Sequence, residues 1–145
     1  MDREILFRGK RTDNSEWIEG VTYITDPDLH TVYIGGYDYY TNEEGLQRDE
    51  YCYEVIPSTV GQYTGLRDQN GRRIFEGDIV QIENPKPFKP YVSDIKYVGT
   101  SFVWGVYVLG EFNEIEKIEV IGNIHDNPEL IGGDSNDSLR IQKAA

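Results

Sequence analysis

The sequence has one cysteine, no long apolar run and comparatively few basic residues. Cys52 has no second cysteine with which to form an internal disulfide, and a chain of this kind is typical of the reducing cytoplasm. No stretch approaches the roughly twenty apolar residues of a membrane helix. The charged start MDREILFRGKR also lacks a signal-peptide core. We therefore expect a soluble protein of the cytoplasm that does not engage a membrane.

The shortage of basic residues also bears on the class of partner. Of the 145 residues, 26 are acidic and 14 are lysine or arginine, which gives a net charge of −12. Binding to a phosphate backbone depends on basic side chains that displace condensed counterions, so the composition disfavours nucleic acid as a partner. Arg67, Arg72 and Arg73 form a local basic cluster that keeps this alternative open. The charge mainly predicts solubility and attraction to a basic partner.

Short apolar segments between frequent breaks predict a mainly β protein with few or no long helices. The chain contains 15 glycines and 6 prolines, and the segments between them are rich in β-branched and aromatic residues. An N-terminal meander is predicted from strands at Glu4–Arg8, Glu16–Ile24 and His30–Ile34. Gly20 interrupts the second strand and indicates a bulge or a close approach of another backbone.

Residues 35–53, GGYDYYTNEEGLQRDEYCY, show no clean period of two or of 3.6. We predict an ordered loop here that leads into a strand near Tyr51–Ile56. The candidate partner-binding residues are Tyr37, Tyr39 and Tyr40, because tyrosine is enriched at protein interfaces and the neighbouring residues are acidic. The alternative is that these tyrosines cover the core of their own domain.

Residues Val60–Val80 predict a strand, a turn and a second strand at the centre of the chain. Asn70-Gly71 is a strong turn signal because both residues tolerate positive φ. Glu76-Gly77-Asp78 predicts a second tight turn before another strand, which begins at Ile79.

The remainder of the chain predicts more strands and two segments without core contacts. The strands are expected at Ser93–Val98, Phe102–Leu109 and Ile118–Ile124, and Phe102–Leu109 is expected to be the most buried. Three prolines predict an exposed loop in NPKPFKP, residues 84–90. Phe112–Lys117 could form one helical turn, and the small and polar residues after 131 predict a flexible tail.

Three segments resemble the YopX family, whose members are small proteins encoded largely by bacteriophages and prophages. These segments are ILFRGKRTDNSEWIEG near the start, QYTGLRDQNGRRIFEGDIV in the middle and EVIGNIHDNPELI near the end. The resemblance spans about Met1–Ile131. It implies an SH3-like barrel in the C-terminal half, from near Phe75, with the N-terminal β-meander as a separate layer. In that barrel Gly77 would permit a sharp entry, and the Asp78 carboxylate would accept backbone N–H bonds.

The expected organisation is therefore an N-terminal β-rich layer or subdomain at residues 1–59, an SH3-like barrel part at 60–130 and a flexible tail at 131–145. The resemblance brings no activity and no catalytic residues with it.

Few residues have the pattern of a catalytic or metal site. Asp26, Asp28 and His30 could contribute to a metal site, but the sequence shows neither a fourth ligand nor supporting residues. His125, in NIHDNPEL, is interpreted as a loop residue. We predict no metal, no cofactor and no catalytic residue.

Cys52 has Glu50, Tyr51, Tyr53 and Glu54 as neighbours, and the sequence shows no partner histidine beside it that would activate a nucleophile. We therefore expect an inert thiol that is buried or half-buried.

The function predicted from these observations is a non-enzymatic protein-binding or adaptor module of phage or prophage type. Its partner would be a host or phage protein of the bacterial cytoplasm, with self-association included. The alternative is a nucleic-acid-binding protein that uses the barrel and the Arg67–Arg73 turn. A third hypothesis, a hydrolase or metalloprotein, rests on His30 with Asp26 and Asp28.

Overall fold

The structure, a computed structural model, describes residues 4–82, 91–98, 101–104, 107–108 and 117–131. It is mainly β with antiparallel sheets, as predicted. The chain divides into two compact units, Met1–Tyr63 and Thr64–Ala145, whereas the sequence placed this boundary after residue 59. Within the described ranges no helix is long and apolar enough to cross a membrane. The loop predicted at 84–90, the helical turn predicted at 112–117 except for Lys117, and the tail after 131 lie outside those ranges.

The N-terminal unit contains two antiparallel arrangements of strands. Its elements are β1 (Phe7–Lys10), β2 (Trp17–Gly20), β3 (Thr22–Asp26), β4 (Thr31–Asn42), β5 (Gly45–Val55) and a 3₁₀ turn (Pro57–Thr59). β1 pairs with β2 on one side and, through Phe7 and Arg8, with the first residues of β6 (Gly61–Arg67) on the other. β3, β4 and β5 form a second sheet in that order.

The core of this unit forms where alternate residues of both arrangements meet. Val32, Ile34 and Val55 are buried together, and half-buried apolar side chains of neighbouring strands pack against them. Gly20 confirms the predicted close backbone approach, because a Cβ at this position would collide with the carbonyl oxygen of Gly35. The segment Glu16–Ile24 therefore forms two strands, β2 and β3, rather than one.

The prediction of a loop at residues 35–53 is wrong. Instead, β4 and β5 form a long hairpin with continuous pairing from Val32 opposite Val55 to Asn42 opposite Gly45. Apolar and polar residues alternate along a strand when one of its faces is buried. Most of this hairpin is exposed on both faces, so its sequence lacks that alternation. Cys52 lies within β5 and is exposed, so its predicted burial is also wrong.

The C-terminal unit contains a five-stranded antiparallel sheet in the order β11, β10, β9, β8, β12. The strands of the unit after β6 are β7 (Arg73–Phe75), β8 (Asp78–Ile82), β9 (Tyr91–Val98), β10 (Ser101–Trp104), β11 (Tyr107–Val108) and β12 (Ile118–Asn123). The end of β6 lies beside β7, which confirms the predicted strand–turn–strand centre. Among the described residues no strand pair closes the five-stranded sheet into a barrel.

One buried cluster of the C-terminal unit is aliphatic. Its members are Ile74, Val80, Ile82, Ile95, Ile118 and Val120, with the half-buried Phe102 packed against them. The predicted ranking of strand burial is not supported, because Phe102 and Val103 of β10 are half-buried while Ile79 and Val80 of β8 are fully buried. The side chains of residues 104–109 lie outside the described part of the structure.

Two carboxylates organise the turns of the central segment. The Asp78 carboxylate accepts a hydrogen bond from the backbone N–H of Phe75 at 2.7 Å, which confirms its expected role. In the preceding turn only Gly71 has a positive φ, of 79°, and Asn70 does not. The N–H of Gly71 donates to the Asp68 carbonyl and the N–H of Asp68 to the Arg72 carbonyl. This pattern is typical of a type I turn followed by a glycine bulge, rather than of a turn with two positive φ values.

Candidate protein-binding site

The outer part of the β4–β5 hairpin, Tyr37–Glu50, extends beyond the core of the N-terminal unit and is called the distal arm here. Every β4 residue from Tyr37 to Asn42 is exposed, and so are Arg48, Asp49 and Glu50 across from them. The base of the same hairpin contributes Val32, Ile34 and Val55 to the core. Because the distal arm buries little, its sequence is not explained by packing within this unit.

The three tyrosines predicted as partner contacts lie on different faces of the distal arm. Successive side chains of a strand point to opposite faces, so Tyr37 and Tyr39 share one face and Tyr40 lies on the other. The rings of Tyr37 and Tyr39 are 6.4 Å apart between centroids. The exposed fractions of Tyr37, Tyr39 and Tyr40 are 39%, 63% and 45%, which leaves each ring well exposed to solvent.

Two aliphatic side chains that were not predicted extend the surface around Tyr37 and Tyr39. Leu46, 72% exposed, lies opposite Thr41 and therefore on the same face. Ile24 of β3, 48% exposed, lies opposite Tyr33, again on this face. We call the surface formed by Ile24, Tyr37, Tyr39 and Leu46 the tyrosine face. The pairing of β4 with β5 identifies Leu46, and the pairing of β3 with β4 identifies Ile24.

Charged side chains border the tyrosine face, and one of them contacts the Tyr37 ring. The Arg48 guanidinium lies over the Tyr37 ring, 4.5 Å from its centroid. Arg48 is the cross-strand partner of Tyr39, and Glu50 is that of Tyr37. A cation over an aromatic face is attracted by the ring quadrupole, so Arg48 restricts the motion of Tyr37 before any partner arrives.

A shallow depression lies beside Tyr37 on this side of the sheet. It is lined by residues that include Thr22, Ile24, Gly35, Glu50 and Cys52. A Cβ at Gly35 would collide with the Tyr51 carbonyl oxygen, so the backbone packing excludes a side chain at this position.

The opposite side of the distal arm has a different chemistry. Asp38 lies directly opposite Asp49, a like-charge pair that is unfavourable in a sheet. The Tyr40 hydroxyl approaches the Asp49 carboxylate at 3.5 Å. Tyr51 lies over Gly36, and its hydroxyl donates to the Glu19 carbonyl at 2.5 Å. Burial raises the pKa of Tyr51, and the charges of Asp38 and Glu19 raise it further. Tyr51 thus links β5 to β2.

The residues considered for a metal site have local structural roles. The Asp26 carboxylate accepts the backbone N–H groups of Asp28 and Leu29 at 3.0 and 3.2 Å, and His30 has a φ of 55° in the same turn. The backbone N–H of His125 donates to the Asn123 side chain in another turn. In the part of the chain that the structure describes, no three His, Cys, Asp or Glu side chains are grouped to hold a metal ion.

The arginines of the alternative nucleic-acid hypothesis lie around the β6–β7 turn. The Arg67 guanidinium donates to the Gly71 carbonyl at 2.8 Å and so closes its own turn. Arg72 is exposed and Arg73 is half-buried. The Asn70 side chain lies 3.5 Å from the Glu119 carboxylate, so a negative charge accompanies this basic cluster.

The architecture defines a small, mainly β protein with antiparallel sheets. A family model described as YopX protein matches residues 6–132, and the chain belongs to this family. The crystal structure of protein EF1440 from Enterococcus faecalis is similar, with 27% sequence identity and a TM-score of 0.61. That similarity covers 89% of this chain and 99% of the other. No curated protein matches the chain.

Proposed function

We propose that the protein is a non-enzymatic protein-binding or adaptor module that contacts its partner through the tyrosine face. One observation carries the proposal: four large apolar side chains lie exposed on one side of a sheet whose outer part adds little to the core. Clustered exposed apolar groups with a polar border are typical of protein interaction sites. Tyrosine suits this role because it offers a large amphipathic surface at a low entropy cost.

The chemistry of the tyrosine face supports this proposal. Tyr37 and Tyr39 would be the anchors of the contact, and Arg48 holds the Tyr37 ring in place. Glu50 and Arg48 would form part of the polar border. A restrained aromatic ring loses less conformational freedom when it binds, which favours affinity.

We propose that the C-terminal unit is an SH3-like barrel, supported by its five antiparallel strands in the order β11, β10, β9, β8, β12. The protein would be of phage or prophage origin and act in the cytoplasm of the host bacterium. Its partner would be a host or phage protein, or a second copy of the chain.

The test compares two faces of one strand. The double variant Tyr37→Ser/Tyr39→Ser removes both anchors, and Tyr40→Ser is its matched control because Tyr40 is similarly exposed on the opposite face. A partner captured from the host bacterium and identified by mass spectrometry would be purified, and its affinity for each variant measured by titration calorimetry. Because each anchor tyrosine contributes about 2 kcal/mol, the two together contribute about 4 kcal/mol, and we expect the double variant to bind roughly a thousandfold more weakly. Tyr40→Ser should bind like the unaltered protein.

An unchanged affinity and an unchanged oligomeric state of the double variant, with its circular dichroism intact, would refute the tyrosine face as the contact. Loss of binding in Tyr40→Ser alone would place the contact on the opposite side of the hairpin and would also refute it.

The alternative function, nucleic-acid binding through the barrel and the Arg67–Arg73 turn, rests on the local cluster of arginines. Arg67 is engaged with the Gly71 carbonyl and Glu119 lies near the turn, and neither feature favours a phosphate partner. We therefore rank it below protein binding.

A further inference from the structure

β5 is the outer strand of its sheet, and within the described ranges only one end of its outer edge is paired. The N–H of Thr12 donates to the Glu54 carbonyl, and the N–H of Ile56 donates to the Lys10 carbonyl. The N–H and C=O of one residue point to the same edge, and the edge alternates along a strand. Even-numbered residues of β5 therefore direct their backbone groups outward. We call Leu46, Arg48, Glu50 and Cys52 the free edge.

No backbone hydrogen bond reaches the free edge from the residues that the structure describes. Folded proteins usually protect such an edge with a proline, a bulge or a very short strand. β5 has 11 residues without a proline, and its pairing with β4 has no register shift. The geometry is therefore that of a strand ready to accept another strand.

We propose that the partner adds a β-strand to the free edge and that this strand carries basic side chains. This inference rests on the proposed function, and it specifies the conformation and the charge of the partner segment that binds. Strand addition gives affinity through backbone hydrogen bonds and specificity through alternate side chains.

The charge of the distal arm selects a basic strand. This arm carries five carboxylates, at Asp38, Glu43, Glu44, Asp49 and Glu50, against one cation, Arg48, which already lies over Tyr37. Side chains of an added strand lie beside those of β5, so a lysine or arginine would face Glu50 on one side of the sheet or Asp49 on the other. Opposite charges in such cross-strand positions are stabilising.

Net charge disfavours a second copy as the added strand. An antiparallel pairing of two copies over the whole free edge is centred on Asp49, so Asp49 lies opposite its equivalent and Arg48 lies opposite Glu50 of the other copy. The unfavourable Asp49 pair is therefore accompanied by favourable pairs, and the repulsion between two chains that each carry a net charge of −12 opposes the association.

The test is hydrogen exchange by NMR with synthetic probes of about seven residues, the length of a typical strand. One probe alternates valine with lysine, and its matched control alternates valine with glutamate. Backbone amides of the free edge should exchange quickly in the protein alone, whereas those of the odd-numbered β5 residues, which face β4, should be protected. At a probe concentration about ten times its Kd, exchange at the free edge should slow roughly tenfold.

Three results would overturn the inference. The first is no slowing at the free edge with the lysine probe at millimolar concentration. The second is equal slowing by both probes, which would remove the selection by charge. The third is slow exchange at the free edge in the protein alone, with exchange slowing further as the protein concentration rises. That result would identify a second copy as the occupant.

A pair of variants separates the edge from its charge. Glu50→Pro removes one outward N–H from a strand position that tolerates proline, and Glu50→Gln removes only the charge. We expect Glu50→Pro to abolish the protection by the lysine probe, and Glu50→Gln to retain it at reduced affinity. Unaltered protection in Glu50→Pro, with the fold verified by its NMR spectrum, would contradict strand addition.

The two proposals can fail separately. The exchange experiment does not depend on Tyr37 or Tyr39, and it can be repeated in the double variant Tyr37→Ser/Tyr39→Ser. Edge protection in a protein whose partner affinity is insensitive to this double substitution would retain the edge and reject the tyrosine face.

Discussion

Asp68 is the residue whose role was least apparent from the sequence. It lies in the turn between β6 and β7 and is only 7% exposed. One carboxylate oxygen accepts the backbone N–H groups of Asn70 and Arg72, and the other accepts that of Val120 in β12, each at 2.9 Å. A single carboxylate therefore closes a turn and attaches it to a strand 52 positions away in sequence.

Replacing this carboxylate should destabilise the C-terminal unit. In Asp68→Ala the buried N–H of Val120 loses its partner, and two turn N–H groups lose theirs. We expect the free energy of unfolding to fall by about 2–4 kcal/mol, because a buried donor left unsatisfied and lost bonds to a charged acceptor both contribute. Urea denaturation followed by fluorescence would measure the change.

Asp28→Ala is the control for that measurement, because Asp28 is an exposed turn residue and its replacement should change stability by no more than about 0.5 kcal/mol. Equal stabilities of Asp68→Ala and Asp28→Ala would show that the bonds of Asp68 contribute nothing net.

Residue-level prediction succeeded where the cause was local. The N–H bond to Asp78 and the close approach at Gly20 followed from turn chemistry and from glycine inside a strand. The turn at Asn70-Gly71 was also predicted, and within it Gly71 alone supplies a positive φ. Prediction failed for Cys52, whose exposure depends on a pairing that the neighbouring residues do not reveal.

The β4–β5 hairpin is the element that contains most of the candidate site. Its base supplies buried side chains, and its distal arm lies exposed on both faces. An element with two such different halves combines a structural part with a part available for binding. The period of two that identifies a strand is clear when one face is buried. The sequence therefore predicts strands at the base of the hairpin and a loop in the distal arm.

Shortening the hairpin should separate these two roles. We consider a variant in which residues 39–48 are replaced by Asn-Gly, joining Asp38 to Asp49, which already face each other as a hydrogen-bonded pair. Because the removed residues bury little, we expect the free energy of unfolding to change by less than about 1 kcal/mol. Partner binding should be lost, because Tyr39, Leu46 and Arg48 are removed.

Ile34→Ala provides the contrast within the same strand. Ile34 is fully buried at the base, and its truncation should cost about 2–5 kcal/mol. Thermal and urea unfolding of both variants would compare the two halves of β4. A shortened protein that is as unstable as Ile34→Ala would show that the arm is a structural part of the unit.

At the scale of the whole molecule, the net charge determines which class of partner is favoured. A charge of −12 repels a polyanion, and the arginines of the β6–β7 turn are few and partly engaged. Charge also favours approach of a basic partner, in agreement with the five carboxylates of the distal arm. These long-range effects weaken as salt is added.

We expect no retardation of single- or double-stranded DNA or RNA in an electrophoretic assay, even at low salt. Phosphate contacts require several cations acting together, and here the acidic groups outnumber them. The matched variant is Arg72→Ala, which removes the exposed arginine of the turn. Retardation by the unaltered protein that disappears in Arg72→Ala would reverse the ranking of the two functions.

The sequence by itself determined the mainly β character, the family and the turns around Gly71, Gly77 and Asp78. These features depend on short-range backbone preferences and on motifs that are contiguous in the chain. Only the tertiary structure decided that residues 35–53 form a hairpin, that Tyr40 is separated from Tyr37 and Tyr39, and that no described residue pairs with most of the outer edge of β5. Those features depend on which strands pair and in what register, and distant residues determine both.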